Sequence, residues 1–152
     1  MKSCQAGMIL LLLISPTVVS RAQDRVMTLA GQVLVNGLTN GSVTTAAFND
    51  PAALVADPAG NLYIADTQNH VIRKVATNGI VSTFAGQAGT PGIMDGNGLQ
   101  AQFNTPSGIA IAPNGDFYVS DTGNHTIRKV TPAGVVTTLA GMPAQSGFTD
   151  DT

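Results

Sequence analysis

Asp66, Asn69, His70 and Arg73 bring a carboxylate, a carboxamide, an imidazole and a guanidinium into one short stretch, and the same four types return as Asp121, Asn124, His125 and Arg128. Carboxylate beside imidazole is the material of general acid–base catalysis and of metal ligation. The recurrence argues for another use. Catalysis needs one constellation at one place, whereas a set that returns in the same order serves something every copy needs. Asn and Gly tolerate the left-handed backbone of a tight hairpin, and Asp and Thr bond turn amides through their side chains. The eight residues are therefore expected to be a structural repeat motif with no catalytic member. Each His, at the start of a strand, is expected to donate to the Asp that ends the strand before it.

Arg73-Lys74 and Arg128-Lys129 alternate across a strand, so one member of each pair should face solvent while the other can reach the Asp of the preceding turn. A solvated face or a weak ion pair is the expectation. Asn40-Gly41, Asp95-Gly96 and Asp150-Asp151 recur in longer connecting segments, where carboxylates could coordinate calcium. One carboxylate per segment is few ligands, and Asp-Gly is a common turn pair, so turns are expected and no metal site is assigned. Asp57 is a polar group that the repeat does not reproduce, since Ala112 stands in its place; it reads as a turn residue at a strand end. No Ser-His-Asp set, phosphate-cradling Gly loop or zinc spacing is present.

The elements that position these residues follow from one ungapped offset of 55 positions. Sliding residues 48–86 onto 103–141 gives 19 identities in 39 positions. Leu29-Ala30-Gly31 likewise maps onto Phe84-Ala85-Gly86 and then Leu139-Ala140-Gly141. Each unit divides into four short runs of strand character separated by turn residues: 53–57, 62–66, 70–75 and 80–84, then 108–112, 116–121, 125–130 and 135–139. Such a unit cannot bury its own apolar faces and must stack on neighbours. Four strands joined by tight hairpins at a fixed period predict an all-β fold made of β-propeller blades, with two complete four-stranded antiparallel blades (48–86 and 103–141), a strand of another at 25–31, and the start of a further repeat at 142–152. The apolar first strands, Leu54-Val55-Ala56 and Ile109-Ala110-Ile111, are expected to be buried on both sides. The longer connections should be surface loops, each pinned to its blade by the aromatic ring of an Ala-x-Phe pair, Ala46/Phe48 and Ala101/Phe103.

Asp-Thr-x-Asn-His-x-Ile-Arg-Lys-Val following Gly-x-x-Tyr-x-x-Asp resembles the NHL repeat, on Asp66 to Val75 and Asp121 to Val130. The likeness extends from Arg25 to the end, and the Ala-Gly after each fourth strand is similar to exported bacterial members. It implies a propeller, most often six-bladed, that serves mainly as a binding platform. Some members of the family are enzymes, among them amidating lyases, antibiotic-cleaving lyases and lactonases. Against such rings the chain is short, and it is expected to be a fragment of an incomplete propeller. The remaining blades would come from further C-terminal sequence or from other chains, and an active site of lyase or lactonase type, if there is one, would lie in them.

Lys2, the apolar run from Met8 to Ile14 and the small residues around Ser20 and Ala22 predict a signal peptide over 1–22, cleaved near Ala22. Secretion, or a periplasmic or cell-surface location, would follow. The run is too short to span a bilayer before Ser15-Pro16 interrupts it. Cys4 would leave with the leader, removing thiol chemistry from the mature chain. Beyond residue 22 stand five basic residues and nine Asp with no Glu, a net charge of 5 − 9 = −4. Without a basic track, nucleic acid is excluded as a partner. A protein, small-molecule or glycan ligand is expected, and no cofactor apart from the calcium already considered.

Overall fold

The computed structural model describes residues 28–32 and 35–143. The expected leader at 1–22, residues 25–27 of the expected leading strand, and the expected repeat start beyond 143 lie outside them. Ten strands form two five-stranded antiparallel sheets. In chain order these are β1 (Gly41–Ser42), β2 (Pro51–Ala56), β3 (Leu62–Asp66), β4 (Val71–Val75), β5 (Ile80–Ala85), β6 (Gly96–Asn97), β7 (Pro106–Ile111), β8 (Phe117–Asp121), β9 (Thr126–Val130) and β10 (Val135–Ala140). The sheet orders are β1-β5-β4-β3-β2 and β6-β10-β9-β8-β7, so the chain folds as two blades of β-propeller type. Single 3-10 turns at Thr67–Asn69, Gly98–Gln100 and Thr122–Asn124 are the helical elements among the described residues, and no helix there is long and apolar enough to cross a membrane.

The fifth strand of each blade is a two-residue piece of the preceding loop, paired with the outermost hairpin strand. Sequence pattern misses it because two residues are too few to show alternation. At the N-terminal end, residues 28–31 form no strand, although the Gly31 N–H donates to the Val43 carbonyl much as the Gly86 N–H donates to that of Gly98.

Alternation along each strand divides a blade into two faces. Leu62, Ile64 and Asp66 pair across the ladder with Val75, Arg73 and Val71, so these six share one face; Tyr63 and Ala65, paired with Lys74 and Ile72, share the other. The first face is closed by its own loop, through Ala46 and Phe48. The second packs on the corresponding first face of the next blade. There Tyr63, Ala65, Ile72 and Ala85 form one buried cluster with Phe103, Phe117, Val119, Val130 and Val136. Tyr63, Phe84 and Phe117 meet edge-on or tilted at centroid separations of 4.3–5.4 Å, a geometry that adds to their area burial. Gly86, at φ +103°, leaves room at this joint, since a Cβ there would stand 2.8 Å from the His70 carbonyl oxygen and 3.0 Å from the Phe103 ring.

The first strands depart from the expected burial. Ala52 and Ala56 of β2 and Ser107 and Ala110 of β7 are exposed, and the residues between them are mostly half-buried. Each is the edge strand of its sheet; β2 lies alongside β7, which also meets β3 across the joint. The apolar run reflects an edge lined with small residues, whereas full burial falls to β3, whose five residues are all buried between its own loop and the second blade.

Candidate functional site: a repeated Asp–Asn–Arg cluster and the blade joint

Asp66 ends β3 and Arg73 lies at the middle of β4, two residues along the same face, so the hairpin register itself carries the guanidinium to the carboxylate. Arg73 Nη1 donates to Asp66 Oδ2 at 2.9 Å and to the Ala47 carbonyl at 3.0 Å. Its Nη2 reaches the Thr39 carbonyl at 2.9 Å and Asn40 Oδ1 at 3.0 Å. Asn69 Nδ2 bridges Asp66 Oδ2 and the Gly37 carbonyl, and the Asn49 N–H donates to Asp66 Oδ1. The Phe48 ring lies 5.0 Å from the guanidinium carbon. Arg73 and Asp66 are both fully buried. The expected solvated face or weak ion pair is thus corrected to a buried one, because the alternation of Arg73 and Lys74 sends the arginine inward under the loop and leaves the lysine beside the Tyr63 ring.

The second copy reproduces the cluster bond for bond. Arg128 Nη1 meets Asp121 Oδ2 at 2.9 Å and the Gln102 carbonyl at 2.8 Å; Nη2 meets the Met94 carbonyl and Asp95 Oδ1. Asn124 joins Asp121 to the Gly92 carbonyl. Phe103 stacks at 5.3 Å. Asp95, whose carboxylate suggested calcium, therefore faces Arg128 at 2.7 Å and also accepts from the Thr138 hydroxyl. Partial burial pushes its carboxyl up, but bonds from Thr138 and Arg128 outweigh this and hold it below the usual carboxylate value. Burial also pushes the Asp66 carboxyl up, against hydrogen bonds from Asn69, the Asn49 amide and Arg73. Among the described residues no three His, Cys, Asp or Glu side chains gather as metal ligands.

His70 and His125 are placed differently from expectation. Neither donates to the Asp before it, and neither lies within a strand. They close the 3-10 turns Thr67–Asn69 and Thr122–Asn124 in the left-handed region, at φ 59° and 58°, so His takes the backbone conformation that Asn or Gly was expected to take. This turns the His70 ring outward to the next blade, where Nδ1 accepts the Thr105 N–H at 3.1 Å. Thr67 Oγ1 donates across the same joint to the Pro106 carbonyl at 2.8 Å. Asp57 caps its own hairpin, accepting from the Asn61 backbone and side chain; the Asn61 carboxamide, ahead of the cost of burial, holds its carboxyl low. In the second blade that turn is held instead by Asp116, which pairs with Lys129 at 2.8 Å and has a lowered pKa for that reason.

The joint makes an asymmetric prediction. Asn tolerates the left-handed backbone but removes the ring nitrogen, so His70→Asn should lower the unfolding free energy by about 1 kcal/mol for the lost bond. His125→Asn should change it by less than about 0.5 kcal/mol, because no second bond is lost. Urea denaturation of both variants checks this, and equal losses would show that the His serves only its turn.

Residues 48–75 and 103–130 each match the NHL repeat. NHL repeat-containing protein 2 from Bos taurus is 41% identical over 97 residues, covering 62% of this chain and 13% of that protein; its human counterpart is 44% identical over 85 residues, covering 55% and 11%. An auxiliary nutrient binding protein from Bacteroides thetaiotaomicron superposes with a TM-score of 0.62 at 31% identity, over 72% of this chain and 28% of its own. The chain thus spans about an eighth of the length of that bovine relative and little more than a quarter of that solved structure. The match at both repeats, together with two blades in the same register, identifies the chain as a member of the NHL-repeat family.

Proposed function

We propose that the chain is exported and contributes to a binding scaffold whose ligand, a protein, a glycan or a small molecule, is met by the loops between blades. One observation carries this reading. The recurring polar side chains bond one another and the loop backbone, while the loop before the second blade presents Ile93, Met94 and Leu99 at 48%, 57% and 60% exposure. Function in repeat folds resides in such loops, and Arg128, by gripping the Met94 carbonyl, holds this one in place. Of the groups that gave the motif its catalytic look, Asp66 and Asp121 are occupied by Arg and Asn and His70 by the Thr105 amide, while His125 is exposed and its ring makes no hydrogen bond among the described residues. No catalytic role is assigned within this segment, and no calcium. A lyase- or lactonase-type site would require non-repeating His and carboxylate groups on further blades.

The test immobilises the chain and passes over it a panel of soluble oligosaccharides and a peptide library, with Met94→Asp/Leu99→Asp alongside. Binding that the double variant loses, with its circular dichroism unchanged, supports the reading. No binding, or turnover of a chromogenic lactone by the chain, would overturn it. N-terminal sequencing of the protein recovered outside the producing cell, beginning near residue 23, would support export; an intact leader would count against it.

A further inference from the structure

The loops that close the two blades are held by the same bonds except at one acceptor. In the first, Arg73 Nη2 donates to the carboxamide oxygen of Asn40 at 3.0 Å, a neutral group. In the second, 55 positions on, Arg128 Nη2 donates to the Asp95 carboxylate at 2.7 Å, and the Thr138 hydroxyl donates to the same oxygen at 3.1 Å. One loop is therefore held partly by a charge that acid can remove. The Asp95 side chain is 49% exposed, so protons reach it, whereas Asp121 beneath Arg128 is fully buried.

We infer that Asp95 is an acid-released latch: neutralising it loosens Ile93 and Met94 while the blade around them stays folded. The release is local because the chain is fixed on both sides of these residues. On one side the Gly92 carbonyl accepts from Asn124 and the Gly92 N–H donates to the Phe103 carbonyl; on the other, β6 pairs with β10. Between them the Gln102 N–H stays on the Met94 carbonyl, so the segment loosens without leaving the blade. Among the described residues the charged group that faces Asp95 is Arg128 of β9. The segment itself and β10 bring no other charge, Lys129 points away to Asp116, and Asp121 reaches Asp95 only through Arg128.

Burial pushes the Asp95 carboxyl up, but the bonds from Thr138 and Arg128 outweigh it and hold the carboxyl below its usual 3.8. A carboxylate so depressed contributes a hold that is complete above the usual value and lost as pH falls through the lower, folded one, while Arg128 stays charged throughout. Asp66 and Asp121 lie beneath the two loops alike, which makes the first loop an internal control. That Met94 meets the ligand belongs to the binding reading; the release is measured without ligand, so either can fail alone.

The test is nitrogen-15 relaxation of the full chain, stepped from about pH 5.5 to about pH 2.5, with far-ultraviolet circular dichroism on the same samples. The heteronuclear NOE of the Ile93 and Met94 amides should fall at the acid end, while those of Leu38 and Thr39, the equivalent positions in the first loop, hold. Asp95→Asn gives the second loop the first loop's acceptor, and in it the fall should vanish. Thr138→Val removes one of the bonds that keep Asp95 ionised, so it should move the fall to higher pH, and this variant decides the matter should Asp95→Asn fail to fold. Unchanged values in the parent, an equal fall in both loops, a fall that survives in Asp95→Asn, or no displacement in Thr138→Val would each overturn the inference. So would loss of the sheet signal before the Ile93 and Met94 values change.

Discussion

Arg73→Met is expected to destabilise the protein by about 3–5 kcal/mol, against a total of about 5–15 kcal/mol for a typical domain. Four hydrogen bonds end at this guanidinium, and three of them hold the loop from Thr39 to Ala47 over the first blade. Methionine fills much of the volume but leaves Asp66 fully buried without its cation, and that uncompensated charge is the larger part of the loss. Adding Asp66→Asn should therefore recover a measurable share, even though it removes a second native side chain. Urea unfolding followed by far-ultraviolet circular dichroism measures both. A loss below about 1 kcal/mol for Arg73→Met would mean that the pair behaves as a surface ion pair and that the pairing of β1 with β5, the Asn69 bond to Gly37 and the packing of Ala46 and Phe48 hold the loop without it.

That cluster also marks how far the sequence could be read. The offset of 55 positions, the hairpin turns and the alternation within each run were enough for the all-β fold, the NHL resemblance and the aromatic side chains that close the blades. Arg73 was the harder residue. Alternation says that one of Arg73 and Lys74 points inward, but the partners that keep it buried, Thr39 and Asn40, lie 34 and 33 residues upstream in a loop without periodicity. A signal was present in the hairpin register: pairing Ile64 with Arg73 places Asp66 on the arginine's face. The imidazoles offered none. His70 bonds an amide 35 residues away in the other repeat, and a pattern that compares equivalent positions cannot show a contact between unlike ones. Burial of β2 and β7 was overestimated for a related reason, since an apolar run does not distinguish a central strand from an edge lined with alanine.

Phe103→Ala should cost about 3–5 kcal/mol, the range for truncating a buried aromatic side chain, and should change how unfolding proceeds. The ring is fully buried, lies 5.3 Å from the Arg128 guanidinium and belongs to the cluster shared by both blades. Its loss opens a cavity at the joint while leaving both hairpin ladders intact. The joint should then part before the sheets do, and the protein's own chromophores can separate the two events. There is no Trp, and of the two Tyr residues Tyr63 is in the joint while Tyr118 lies on the open face of the second blade. In a Tyr118→Phe background the fluorescence reports Tyr63 alone. With Phe103 in place, fluorescence and circular dichroism should follow one urea transition; with Ala, the Tyr63 signal should change at lower urea than the sheet signal. Coincident transitions in the Ala variant would mean that the blades unfold only together, and that Thr67 and His70 hold the joint without the ring.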